Sequence, residues 1–194
     1  MNLALILIAA YLLGAIPTAF VIGLFLKKGD IRKLGSGNVG GMNVYRTAGL
    51  LPGLFTVLID IGKGVLAVLL LTSVSTDPAL LGAAAFLAVL GHNYNLFLAF
   101  KGGKGLATAC GAFLVLSPQV PLYVIPAAII LALILRDTNT AFGAAMILIP
   151  LTVWLLHGHF MLALFGLGIA VAIIAKHAPD FRAYRAGRRK LLHS

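Results

Sequence analysis

The sequence predicts an all-α, polytopic integral membrane helical bundle of about seven transmembrane helices, with the N-terminus outside and the C-terminus cytoplasmic. Three observations predict it. First, the 194 residues are 61% hydrophobic and only 10% charged, where a soluble domain carries about 25% charged residues. A chain this short has too little interior to hide that surface, so the excess faces lipid. Second, the apolar residues fall into stretches near the roughly 20 residues that a membrane-crossing helix needs. Third, the basic residues collect in alternate connections. A soluble enzyme, a disulfide scaffold and a disordered tail are excluded: the single cysteine, Cys110, allows no intramolecular disulfide and no cysteine-rich metal site. The chain reads as one integral membrane domain over residues 1–194.

The first span covers residues 3–26. It carries no charge, follows no basic segment and is too long for the core of a cleaved signal, so it is expected to remain as a helix. Further spans follow at 50–73, 78–100, 104–116, 119–135, 141–157 and 160–177. The fourth is short, and Gly102, Gly103 and Gly105 crowd its start. With residue 1 outside, fourteen of the fifteen Lys and Arg lie in inner connections or the tail, and Lys63 lies within a span. The outer connections near 73–78, 117–121 and 157–159 carry none. That asymmetry follows the positive-inside rule, and Tyr123 and Trp154 sit where interfacial anchors belong. The basic tail, with Arg188, Arg189 and Lys190, reads as a topology signal near anionic lipid. No aromatic or modular feature accompanies it, so no nucleic acid is expected.

The chemistry lies in polar islands on the inner side. The first holds Gly35, Ser36, Gly37, Asn38, Gly40, Asn43 and Arg46. Its glycines fit G-x-G-x-x-G, and Asp60 follows twenty residues on, but a dinucleotide site needs a strand before the glycines and a βαβ unit. A membrane helix precedes them instead. Glycine backbone N–H groups, Ser and Asn donors and a forked guanidinium together still suit an anion. The second island holds His92, Lys101, Gly102, Gly103, Lys104, Gly105 and Thr108. It is not a Walker loop, since Gly105 follows Lys104 where Ser or Thr is required. A glycine turn entering a helix start beside two lysines is a phosphate-site pattern. The third island, with His177, Pro179, Asp180 and Arg182, reads as a helix end closed by proline. Asp60 and Lys63 are three apart on one helix face and can pair; ionisable groups inside a span are functional candidates by default. The chain has five Asp and no Glu, too few acids for a Ser-His-acid set. His92 lacks the acid five residues on that a His-x-x-x-x-Asp acyltransferase needs, since Phe97 stands there. No metal and no cofactor is expected.

The patterns G-S-G-N-V-G-x-x-N-V-x-R over 35–46 and G-H-x-x-x-x-F-L-x-F-K-G-G-K-G-x-A-T over 91–108 resemble the first two motifs of the bacterial acyl-phosphate:glycerol-3-phosphate acyltransferases. The chain length, span pattern and position of His177 agree with that resemblance along essentially the whole chain. It implies transfer of a fatty acyl group from acyl phosphate to the 1-hydroxyl of glycerol 3-phosphate, giving lysophosphatidic acid at the inner membrane. The implied partners are these two substrates and membrane lipid, and a monomer is compatible with the reading. The sequence departs from the family pattern at Met42, where Thr is common, at Asp180, where Asn is usual, and at Arg189, where Glu is usual.

Ser36, Asn38, Asn43 and Arg46 are expected to hold one phosphate; Lys104, His177 and the amides of residues 102–105 hold the other. Which phosphate goes where stays open. The proton acceptor is expected to be a substrate phosphate, with His92 as the rival general base. A transporter of organic phosphate and a non-catalytic paralogue are the competing readings. The absence of an internal repeat and the one-sided polar islands favour an enzyme.

Overall fold

The computed structural model describes residues 2–26 and 28–187. Lys27, Arg188, Arg189 and Lys190 therefore lie outside the described residues, as does the departure at position 189. Among the described residues the structure is helical throughout, without a strand.

Helix α1 (Leu3–Gly14) is capped by Asn2, whose side chain accepts the Ala4 N–H at 3.0 Å. Pro17 has no N–H with which to continue the ladder. The chain breaks there, and α2 (Thr18–Phe25) departs at 43°. The stretch expected as one span over 3–26 is thus two helices. A break inside lipid exposes carbonyls that hydrocarbon cannot satisfy. Asn95 Nδ2 donates to the Ala15 carbonyl at 2.6 Å, and the Lys63 ammonium donates to the Ile16 carbonyl at 2.5 Å.

The connection expected as a loop holds a helix, α3 (Gly41–Ala48), which buries Gly41, Asn43 and Val44. In α4 (Leu50–Thr72) the buried residues recur at helical spacing through Gly53, Thr56, Asp60, Lys63, Ala67 and Leu71. The opposite face exposes Leu51, Leu54, Phe55 and Leu58. Apolar surface of that extent is what a lipid-facing helix presents. Helix α5 (Pro78–Asn93) stops about two turns before the expected end at 100, and a 3-10 turn (Leu96–Leu98) follows. Then come α6 (Leu106–Leu116) and α7 (Gln119–Leu135), the latter with its expected bounds. The sixth stretch is two helices, α8 (Thr138–Ala145) and α9 (Leu148–His157). Last is α10 (Phe160–Arg185), which runs straight through Pro179, where a helix end was expected. Pro179 removes one ladder hydrogen bond, but the helix continues to Arg185, with His177 and Asp180 buried on either side of the proline.

Among the described residues, four helical segments can cross a membrane by length and composition, or five if the bent α1–α2 pair is one span. The expectation of seven counted α6 and α7 as well. With 11 residues α6 is about 17 Å long, well short of a hydrocarbon core of about 30 Å.

Glycines bring the bundle's backbones into contact. A Cβ at Gly64 would lie 2.6 Å from the Ala112 nitrogen, and one at Gly111 would lie 2.7 Å from the Ile61 carbonyl carbon, so α4 and α6 touch main chain to main chain. In lipid such close van der Waals packing of small residues replaces the hydrophobic drive that operates in water. The largest core cluster includes Val68, Val89, Phe113, Val124, Ile149 and Ile173. At one end, Ile31, Val39 and Val44 pack with Leu98 and so join the first two polar islands. At another, His157 Nε2 lies 2.8 Å from Ser117 Oγ, tying the α6–α7 connection to the end of α9.

Candidate active site

The first island is organised by Asn43. Its Oδ1 accepts the Ser36 N–H at 2.8 Å, while its Nδ2 donates to the carbonyls of Ile31 (3.2 Å) and Leu34 (3.1 Å). Both amide protons are committed and the side chain is only 2% exposed. Asn43, expected to bind phosphate, has no donor left for an anion; it holds the loop. Gly35 is required beside it: its φ is +56°, and a Cβ would overlap Asn43 Oδ1. Upstream, Asp30 caps the 3-10 turn (Ile31–Lys33) and pairs with Arg32 at 2.8 Å. The hydrogen bond from the Arg32 side chain holds the Asp30 carboxyl below its ordinary range. Ser36 and Arg46 are exposed, Gly37, Asn38 and Gly40 partly so. Gly40 supplies no side-chain cap to the first turn of α3, where the Asn43 N–H is taken by the Gly40 carbonyl at 3.0 Å.

In the second island the glycines do something other than expected. The Gly102 N–H donates to the Asn93 carbonyl (3.2 Å) and the Gly103 N–H to the His92 carbonyl (3.0 Å). These amides close the end of α5 and are not presented to a phosphate. Side chains are excluded for a steric reason: a Cβ at Gly102 would meet the His92 carbonyl, one at Gly103 the His92 ring, and one at Gly105 the Asn93 amide oxygen. Gly105, with φ +85°, opens α6 without a side-chain cap. Thr108 is fully buried in the α4–α6 contact, where its carbonyl meets Gly64, so it too is removed from the phosphate set. Lys101 is exposed.

Lys104 is where the islands converge. Its ammonium donates to Asp180 Oδ2 of α10 at 2.5 Å and to Asn139 Oδ1 of α8 at 3.1 Å. The negative charge that Asp180 brings to the site is thereby neutralised by a lysine. Asn139 was missed by sequence reasoning, although Asp137, Thr138 and Asn139 form the polar run between the fifth and sixth apolar stretches. His177, expected beside a phosphate, is instead fully buried, its ring against Gly143 and its Nδ1 2.9 Å from the Ile173 carbonyl.

His92 is nearly buried, wedged between Gly103 and α4. Its Nδ1 lies 3.8 Å from Asp60 Oδ1, too far for a hydrogen bond. Asp60 pairs with Lys63 at 2.6 Å, so the in-span ion pair does form. A narrow cleft lined by Ile16, Thr18, Val39, Asp60, Lys63 and His92 has room for little more than a water molecule.

With this geometry in view, the family model of glycerol-3-phosphate acyltransferases matches residues 4–187. The chain belongs to that family. A glycerol-3-phosphate acyltransferase of Desulforamulus reducens is 40% identical over 180 residues, covering 91% of this chain and 88% of that protein. Glycerol-3-phosphate acyltransferase 2 of Moorella thermoacetica is 51% identical over 114 residues, covering 59% and 58%. Two crystal structures of PlsY (YgiH), an integral membrane glycerol 3-phosphate acyltransferase, match the fold. The glycerol 3-phosphate form is 33% identical with a TM-score of 0.89, covering 98% of this chain and 95% of that one. The lysophosphatidic acid form is 32% identical with a TM-score of 0.87, covering 97% and 94%. Lys104 is engaged by Asp180 and Asn139, and Arg46, the basic residue of α3, is exposed.

Proposed function

We propose that the chain transfers a fatty acyl group from acyl phosphate to the 1-hydroxyl of glycerol 3-phosphate, releasing phosphate and lysophosphatidic acid on the cytoplasmic side of the membrane. The observation that carries this reading is the full-length likeness to the glycerol 3-phosphate form of PlsY. The meeting of the second-island lysine with α8 and α10 at one end of the bundle supports it. Lys104 binds one phosphate, and Ser36, Asn38, Arg46 and the uncapped first turn of α3 bind the other.

Acyl phosphate is a mixed anhydride and needs no covalent enzyme intermediate. The 1-hydroxyl oxygen bonds to the acyl carbon, the bond from that carbon to the phosphate oxygen breaks, and the hydroxyl proton passes to a phosphate oxygen. The protein supplies orientation and cationic stabilisation of the developing charge. His92 is a positioning residue in this reading, because its ring is enclosed by Gly103 and the Asp60–Lys63 pair. In this reading the bent α1–α2 pair, α4, α5, α7, the α8–α9 pair and α10 cross, and α6 makes a seventh crossing together with the non-helical residues 101–105 that lead into it, with the start of α1 outside and the end of α10 inside.

The test uses purified protein in lipid or detergent with glycerol 3-phosphate and either palmitoyl phosphate or palmitoyl-CoA. Lysophosphatidic acid forms from the acyl phosphate alone, and Arg46→Ala and Lys104→Ala abolish it. His92→Ala retains most turnover; a loss of about 10³-fold, the scale of general-base removal, would instead make His92 the proton acceptor. No product from either donor in folded protein returns the reading to a non-catalytic relative.

A further inference from the structure

The carboxylate of Asp180 sits on the Lys104 ammonium at 2.5 Å. Both groups are largely withdrawn from solvent, with side-chain exposures of 20% for Lys104 and 11% for Asp180. Charges so placed are weakly screened. Asn139 approaches the same ammonium with its oxygen. The arrangement is what a lysine makes with a phosphate, with the protein's own carboxylate and amide oxygens in the anion's place.

We propose that Asp180 is an internal occupant of the Lys104 site and sets its affinity for substrate phosphate. The inference rests on the reading that Lys104 binds a phosphate, here that of glycerol 3-phosphate. An incoming dianion must displace the carboxylate from Lys104 or be held beside a like charge, and both weaken binding. An Asn at 180 keeps the shape and an oxygen acceptor, loses the repulsion and offers the anion two N–H donors. Asp180 is thus a specificity-determining residue that trades substrate affinity for a neutral, paired resting site.

The experiment compares wild type, Asp180→Asn and Asp180→Glu in lipid nanodiscs, each checked for folding by its thermal unfolding midpoint. Glycerol 3-phosphate and inorganic phosphate are titrated calorimetrically without acyl donor, and KM and kcat are measured with palmitoyl phosphate saturating. The Asn variant binds both probes about tenfold more tightly or better, the scale of relieving a like-charge contact. Its KM for glycerol 3-phosphate falls in step, and its kcat changes little. Asp180→Glu, which keeps the charge, binds as wild type does. Equal or weaker binding by the Asn variant overturns the proposal, and so does a fall in kcat at unchanged affinity, which would make Asp180 only a support for Lys104. Tighter binding without turnover in any form leaves this inference standing and removes the acyl-transfer reading. Normal turnover with unchanged binding does the reverse.

Discussion

Asn43 and Asn38 are both asparagines of the glycine-rich first island, and only their surroundings separate their roles. Asn43 has its donors spent on Ile31 and Leu34 and its acceptor on Ser36; Asn38 is partly exposed, with its backbone N–H 3.5 Å from Ser36 Oγ. Removing a buried side chain that satisfies three backbone groups costs about 1–3 kcal/mol for each group left unpaired. Asn43→Ala is therefore expected to lower the unfolding midpoint in detergent by several degrees, whereas Asn38→Ala leaves it unchanged and raises the KM for a substrate. Equal midpoints for the two variants would remove the structural role given to Asn43.

At the scale of the element, the Pro17 break and the Asp60–Lys63 pair explain each other. The break frees the Ile16 carbonyl, Lys63 crosses from α4 to accept that duty, and Asp60 balances the lysine in a region where an unpaired charge is costly. Lys63→Met leaves Asp60 buried and uncompensated, a loss of about 3–5 kcal/mol. The double variant Asp60→Asn/Lys63→Met recovers most of that loss, because the orphaned charge is gone. It stays below wild type, because the Ile16 carbonyl has lost the Lys63 ammonium and keeps only the Thr18 N–H. Chemical denaturation in mixed micelles reads both effects, and a double variant as unstable as Lys63→Met contradicts the coupling.

For the whole molecule, the testable statement is sidedness. The ties at Lys104, Asn139 and Asp180 and those at Ser117 and His157 belong to the inner and outer ends of one bundle in the proposed topology. In a Cys110→Ala background, Ser75→Cys is expected to react with an impermeant maleimide applied to intact cells. Thr138→Cys is expected to react only after the membrane is opened. The opposite pattern inverts the orientation, and labelling of both sites from outside breaks the seven-segment count.

The sequence by itself determined the membrane class, the bounds of α7 and α4 to within a residue, and the family. Each of these rests on composition or on contiguous patterns, which survive without knowledge of the fold. It also identified Asp60 and Lys63 as able to pair, since three residues along a helix is a local distance. Only the tertiary structure decided which members of the islands are already committed within the protein. Asn43, Thr108, Gly102 and Gly103 have the right chemistry for phosphate, and their donors or positions are taken by Ile31, Leu34, α4 and the end of α5. The two prolines show the same limit: Pro17 ends α1, whereas α10 runs on through Pro179. Lys104 meets Asp180 across 76 residues of sequence, a contact that no local pattern encodes, because it exists only once three helix ends are brought to the same place.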